Sequence, residues 1–356
     1  MTPRVVHLAS GREWRGGQRQ VWLLARALAR LGLAQVVVTG TASELATRLA
    51  RDGIRVRAVP WSAGLDPRAL PGLVSELRAG PSLVHAHDAH AVTLAGLGAW
   101  LAGRPLVATR RVDFHLRRRG FWGRAARVIA ISRAVADVLV ADGIAPDRIA
   151  VVHSGITLED LRATSRLGIR DRLELEPETP IAANVAALVP HKDHATLLRS
   201  AALLAGRLPA LHWVVAGDGP LRAELERLRA ELALDGRVHF LGHLDEPARL
   251  IADASCFVMS SREEGLGTSV LEAMALGIPV ASTTAGGLPE MLHAGAGLLV
   301  PPADPAALAE AVARLLSEPG LAREVASKGS IAVQGFTVER MAEAVRSVYR
   351  SLIPFP

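Results

Sequence analysis

The sequence holds one cysteine, Cys256, among 356 residues. A lone thiol excludes a disulfide framework and fits a reducing compartment. Lysine is almost as scarce: Lys192 and Lys328 stand alone, and arginine supplies every other cation. Long apolar runs are also missing. A long stretch without a formal charge, from Ala89 up to Arg104, contains His90 and several glycines and is too short to cross a bilayer. The opening residues, MTPRVVHLASGREW, lack the extended apolar segment of a secretory signal. A soluble, cytoplasmic protein is the expectation. Neither G-x-G-x-x-G nor the P-loop pattern occurs, so nucleotide binding of those two kinds is not supported. No D-x-D occurs either.

What is present is an ordinary globular balance, 50% hydrophobic and 21% charged, which argues against disorder or a fibrous repeat. At 356 residues the chain exceeds what one hydrophobic core usually supports, so two domains of roughly 150 to 180 residues are expected. The formal charge of +6 is concentrated in one place. Seven arginines lie between Arg110 and Arg127, opposed only by Asp113, so that segment alone carries +6. The high isoelectric point therefore describes a patch and not a basic coat.

Strand and helix patterns alternate. RVVHLAS is a short β-rich run, followed by the loop GREWRGG and then by QRQVWLLARALARLG, whose Val21, Leu24, Leu28 and Leu31 fall at helical spacing. AQVVVTG, IRVRAVP, LVHAHDA, PLVAT, ARVIAIS and RIAVVHS read as further strands. After the polar stretch RLELEPETP the rhythm restarts with IAANVAAL, LHWVVAG, RVHFLG, CFVMSS, IPVASTT and GLLVPP. This is the pattern of two doubly wound parallel α/β domains in series. The last segment puts Met341, Val345, Val348 and Leu352 on one helical stripe.

Ligands of open α/β sheets sit beyond the carboxyl ends of strands, so strand-to-loop junctions carry the search for function. At the first, Gly16 and Gly17 open a helix, where a bare backbone and free N–H groups suit a phosphate, with a flexible turn as the alternative. At the second, HAHDAH, His85 and His87 share one face if the strand continues. Alternate histidines can ligate a metal, as in some barrel hydrolases. No later His and Asp cluster completes a ligand set, which favours a core position for His85 and a cleft-lining contact for His87. At the third, LVPHKDH, Lys192 supplies a compact ammonium suited to a phosphate, or merely a surface charge.

The fourth junction is SSREEGLGTSVLEAMALGIPVA. Here Ser269-x-x-Glu272 reads as a capping box, which would give Glu272 a structural role. Glu264 precedes the helix and has no such explanation. A carboxylate beside free helix N–H groups suits a sugar's hydroxyls with a phosphate attached.

The stretch EEGLGTSVLEAMALGIPVASTTAGGLPEML resembles the E-x7-E signature of family-four retaining glycosyltransferases and runs on into that family's Gly-Gly-x-Pro-Glu segment. WVVAGDGPLRAELE, RVHFLGHL, VIAIS and AVVHSGI are similar to further landmarks of the family in order. The resemblance implies the GT-B fold: two Rossmann-like doubly wound domains facing across a cleft, and a C-terminal helix crossing back to the first. The implied boundaries are 1–160 for the acceptor side, 161–338 for the donor side and 339–356 for the helix. Carried over, Glu272 would bond the ribose hydroxyls and Glu264 those of the transferred sugar. Backbone groups of Gly265, Leu266, Gly267 and Thr268 would touch sugar and diphosphate, with Gly217 in the same donor-binding set. Lys192 would neutralise the diphosphate, and Gly16 and Gly17 would approach it from the other domain. No metal and no cofactor are implied; the donor nucleotide sugar, uridine-linked by expectation, is a co-substrate. The acceptor hydroxyl is expected to attack the face the leaving group departs from, with the phosphate taking the proton.

Two positions depart from the family pattern. Ala187 stands where an arginine commonly precedes the lysine, and Arg110 and Arg111 follow Thr109 where a histidine often falls. Either Arg111 binds a phosphate or an anionic acceptor, or His87 does the missing histidine's work; both join Glu264 and Lys192 as catalytic candidates. The segment RRVDFHLRRRGFWGR adds Phe114, Phe121 and Trp122 to its arginines, a mixture suited to an anionic membrane surface or a lipid-linked acceptor. A solvated charged loop is the plainer reading, and nucleic acid is not expected. Acceptors in cell-envelope glycan or glycolipid synthesis follow from the whole pattern. A GT-B sugar-nucleotide epimerase, a non-catalytic sugar-nucleotide or glycan binding protein and, last, a TIM-barrel metal hydrolase are the alternatives.

Overall fold

The structure, a computed structural model, describes residues 3–11, 14–41, 43–61 and 66–354. Arg12 and Glu13 of the GREWRGG loop lie outside the described residues. The chain divides into two compact units, Met1–Gly155 with Thr337–Pro356, and Ile156–Phe336. The boundary expected at 160/161 would have cut the short helix Leu158–Arg162.

The first unit is built on seven strands, β1 (Arg4–Ala9), β2 (Ala34–Gly40), β3 (Val56–Val59), β4 (Ser82–Ala86), β5 (Leu106–Arg110), β6 (Arg127–Ala130) and β7 (Ile149–Val151). They pair in parallel in the order β3-β2-β1-β4-β5-β6-β7. The second unit has six, β8 (Ile181–Val185), β9 (His212–Ala216), β10 (Val238–Gly242), β11 (Cys256–Met259), β12 (Val280–Thr283) and β13 (Leu298–Val300). Their order is β10-β9-β8-β11-β12-β13, again parallel. Such sheets are covered by helices on both faces, which is why their strands read as near-continuous hydrophobic runs. In β1, for instance, Val5, Val6 and Leu8 are all fully buried. A barrel hydrolase is excluded by these two open sheets.

Strand order positions the chemistry. In each unit the order reverses once, between β1 and β4 and between β8 and β11, and the chain leaves the two adjoining strands in opposite directions there. Crevices form at the carboxyl ends at such switch points.

The final helix, Val338–Arg350, returns to the first unit. Its Met341, Ala342, Val345 and Val348 pack with Leu23, Leu24 and Leu28 of the first helix, Gly16–Arg30, along the stripe read from the sequence. No described helix is long and apolar enough to cross a membrane.

Candidate active site

In the second unit the loops leaving β8 and β11 are neighbours because those strands are. Backbone and side-chain bonds join them: Arg262 N donates to the His191 carbonyl at 2.8 Å, and Ser260 Oγ to the Lys192 carbonyl at 2.9 Å. Arg262 Nε also donates to Asp193 Oδ2 at 2.6 Å, while Asp193 caps the helix His194–Leu204. Held this way, Lys192 Nζ donates to Glu264 Oε2, and Ser261 Oγ donates to the same oxygen at 3.3 Å. Both side chains are largely buried, at 16% and 10% exposure. The Glu264 carbonyl accepts from Gly287 N at 2.9 Å, which ties the acidic turn to the Gly-Gly-x-Pro-Glu segment. The sequence left Glu264 without a structural partner. Its partner lies 72 residues away, across the switch point, out of reach of local pattern reading.

The capping box is overturned. The helix Thr268–Ala275 takes Gly267 as its N-cap and no side chain caps it. Ser269 is therefore its second residue, two positions past the N-cap and already inside the helix, where it cannot act as the capping serine. Gly267 is in the left-handed region at φ +93°, and a Cβ there would stand 2.9 Å from Leu288 Cδ2. The glycine starts the helix two residues before Ser269 could. Glu272 is 2% exposed within this helix and has lost the explanation the sequence offered for it. Gly265, Leu266 and Gly267 are buried, and Thr268 is partly exposed. Gly217 has a packing requirement of its own: at φ +141° its Cβ would stand 1.9 Å from the Ala186 carbonyl oxygen. Gly219 presses on Leu188 O in the same way, at 2.5 Å. These glycines seat the loop after β9 against residues 186–188, Ala187 included.

In the first unit the carboxyl edge carries Gly16, Gly17, His87 and Arg111. Gly16 is the first residue of its helix, whose N-cap Arg15 makes no side-chain cap. Arg111 lies over the glycines, its Cδ 4.0 Å from where a Gly17 Cβ would be. Desolvation lowers the Arg111 guanidinium to about 10, against the nearby Asp88, and its Nε is buried without a hydrogen-bond partner. Asp88 accepts from Ser10 N at 2.8 Å and from Ala91 N at 2.9 Å, which fixes the ends of β1 and β4 together.

His87 is 2% exposed, and its Nε2 bonds Nδ1 of His7 at 2.9 Å. His7 faces His85 in the β1–β4 register. His85 in turn meets Tyr349 Oη of the final helix at 2.5 Å and Thr109 Oγ1 at 2.6 Å. Three buried imidazoles thus gather with ligand atoms within 4.8 Å, the third coming from earlier in the chain. Burial holds all three well below the ordinary histidine range, His7 at about 4, so they are neutral near pH 7. Both His85 nitrogens are occupied by hydroxyl groups, and the cation of Arg111 lies close enough to lower His85 and His87 further. That environment suits a hydrogen-bonded relay better than a divalent cation.

Trp122 of the basic segment is 7% exposed under the Arg110 guanidinium, 5.6 Å from its ring centre. Phe121 lies on Gly96, whose Cβ would meet its ring at 2.2 Å. Neither ring projects as a free wedge.

Two family models match, Glycosyltransferase Family 4 over residues 14–160 and Glycosyl transferases group 1 over residues 166–331. The chain belongs to glycosyltransferase family 4. The D-inositol 3-phosphate glycosyltransferase of Streptomyces bingchenggensis is 34% identical to this family 4 chain over 241 residues, 64% of the chain and 53% of the relative. The lipopolysaccharide core biosynthesis glycosyltransferase LpsE of Rhizobium meliloti is 30% identical over 199 residues, 55% of the chain and 56% of the relative. The chain thus spans about half the length of these two relatives. With D-inositol 3-phosphate glycosyltransferase 1 of Catenulispora acidiphila the match is 30% over 345 residues, 85% of the chain and 82% of the relative. Among solved structures, Anabaena HepE in complex with UDP-glucose superposes with a TM-score of 0.83 at 21% identity, covering 98% of this chain and 100% of that one. Sucrose-phosphate synthase from Thermosynechococcus elongatus gives 0.77 at 25% identity, covering 99% of each. The family 4 chain accordingly has the GT-B fold.

Proposed function

We propose that the chain is a retaining glycosyltransferase that moves a hexose from a uridine diphosphate sugar to a hydroxyl acceptor in cell-envelope glycan or glycolipid synthesis. The observation that carries this reading is the Lys192–Glu264 pair beside an uncapped helix N-terminus at the β8–β11 switch point. A diphosphate calls for a cation and free N–H groups, and sugar hydroxyls call for a buried acceptor; that junction offers both. Relatives named for inositol phosphate and lipopolysaccharide core transfer support the acceptor class, and HepE complexes with UDP and UDP-glucose support the uridine donor.

On donor binding, Lys192 exchanges the Glu264 carboxylate for the diphosphate, and Glu264 turns to the hydroxyls of the sugar. Glu272 takes the ribose hydroxyls. The acceptor oxygen bonds to the anomeric carbon on the face from which the diphosphate oxygen departs, and the departing phosphate takes the hydroxyl proton. Lys192 and the helix N-terminus stabilise the charge that develops on the leaving group, so no metal is required. Gly16 and Gly17 approach the phosphate, and Arg111, replacing the family's histidine, binds an anionic group of the acceptor, with His87 beside it. The reaction belongs to a reducing compartment, with peripheral contact to the cytoplasmic membrane face through 110–127.

Thermal unfolding with UDP, GDP and ADP tests the donor. A ligand at a hundred times its dissociation constant stabilises by about 2.7 kcal/mol. UDP should raise the midpoint and the others should not; equal shifts contradict a uridine donor. The anomeric configuration of the product, read by NMR, tests retention.

A further inference from the structure

The amino edge of the first sheet, opposite the edge that carries His87 and Arg111, holds a second cationic feature. A surface cavity of about 340 Å³ opens there, lined by Arg119, Arg124 and Arg148 with Gly120 and Gly123. Arg124 and Arg148 stand just before β6 and β7, which places the cavity at the strands' amino ends. The volume is that of a small-molecule site, about 300–1,000 Å³.

The three guanidinium groups are exposed, and among the described residues none pairs with a carboxylate. Arg148 Nη1 donates to Gly123 O at 3.1 Å and Arg119 Nη1 to Gly143 O at 3.5 Å, tethers that leave most of their five N–H groups directed elsewhere. Of the two acids in the adjoining loop, Asp142 is already taken by His115 Nδ1 at 2.7 Å and Leu116 N at 2.6 Å, and Asp147 is exposed and makes no ion pair with the three arginines. Three cations lining one concavity raise the positive potential inside it and favour entry of an anion.

A second observation names the anion's setting. Arg124 stacks over Phe121, 5.8 Å from its centre, and Phe121 lies on Gly96 of the helix Ala89–Ala102. Residues four apart share a helix face, so Trp100 lies one turn beyond Phe121. Its indole is 72% exposed, the highest exposure among the large exposed hydrophobic side chains, and Leu101 next to it is 39% exposed. An exposed indole one helical turn from the residue on which the Arg124-stacked Phe121 lies matches the headgroup layer of an anionic membrane, where tryptophan is enriched and each cation adds attraction.

We propose that the Arg119–Arg124–Arg148 cavity binds the phosphate of an anionic phospholipid headgroup, with Trp100 seated in the headgroup layer beside it. This rests on and deepens the reading of 110–127 as a membrane contact, and it is independent of the transfer chemistry. It also replaces Trp122 and Phe121 as the membrane aromatics, since both are used inside the unit.

The test is co-sedimentation of the full chain with vesicles of phosphatidylcholine alone or mixed with phosphatidylglycerol. The chain should bind only the mixed vesicles. The triple substitution R119Q/R124Q/R148Q should weaken binding about a hundredfold, three cations at about 1 kcal/mol each, with an unchanged melting temperature. Trp100→Ser should weaken it separately. A control triple on exposed arginines of the second unit, R227Q/R314Q/R323Q, should change it less than twofold. Equal loss in both triples would overturn the cavity while leaving the membrane reading intact; no vesicle binding by the unaltered chain would overturn both. Stabilisation by inorganic phosphate without vesicle binding, or displacement of vesicles by a single-stranded oligonucleotide at equal charge, would also overturn the lipid occupant.

Discussion

Lys192, at the end of the short turn Pro190–Lys192, holds the carboxylate of Glu264 in a largely buried ion pair. The two residues are brought together by sheet order, since β8 and β11 are adjacent and their following loops are bonded at His191, Lys192 and Asp193. Each of the two groups that the proposed mechanism assigns to a donor substrate is therefore held by the other. The pair is preorganised, and exchanging it for diphosphate and sugar hydroxyls keeps both charges compensated throughout.

The helix that begins at Thr268 makes a sharp prediction for Ser269. A true capping serine costs about 1 kcal/mol when replaced by alanine. With Gly267 as N-cap, Ser269→Ala should change unfolding free energy by less than about 0.5 kcal/mol in urea titration. Glu272→Gln should weaken UDP binding at least tenfold, measured by calorimetry, because its ribose role does not depend on a cap.

Gly217→Ala should destabilise the second unit by more than about 3 kcal/mol, through both the clash with Ala186 O and the φ of +141°. Gly320→Ala provides the contrast. It lies in the helix Pro319–Ala332 with nothing within 4 Å of its Cβ, and alanine there should add about 0.4–1 kcal/mol. Chemical denaturation of the two variants checks both signs.

How much of this was legible in the sequence depends on range. All thirteen strand regions were marked by apolar runs bounded by glycine, proline and polar residues, and the final helix by its stripe of Met341, Val345 and Val348. The motif residues around Glu264 were legible for the same reason, being contiguous. Contacts fixed by strand order were not. His7 joins His85 and His87 only because β1 lies beside β4, an adjacency that no local pattern in RVVHLAS or LVHAHDA marks. The capping box failed for a local reason: its spacing is correct, but the left-handed Gly267 is the N-cap and starts the helix two residues earlier.

Acid should destabilise the fold through buried histidines. Burial lowers His7 to about 4 and His194 to about 4, from an ordinary value of 6.5. The unfolded chain then binds protons that the folded chain refuses between those values, so stability is fully present above 6.5 and is lost as pH falls towards 4. The loss is on the order of 3 kcal/mol per histidine. Urea midpoints at neutral pH and near pH 4.5 measure it, and a flat profile would contradict the burial of both rings.

The central claim is the exchange of partners by Lys192 and Glu264, and transfer by Glu264→Ala tests it most directly. The side chain is required for the sugar but competes with the diphosphate for Lys192. Transfer from a uridine diphosphate sugar should fall at least a hundredfold, about 2.7 kcal/mol, while UDP itself binds as tightly as before or more tightly. Lys192→Ala should instead lose UDP binding. Full transfer by Glu264→Ala, with UDP binding unchanged, would contradict the account.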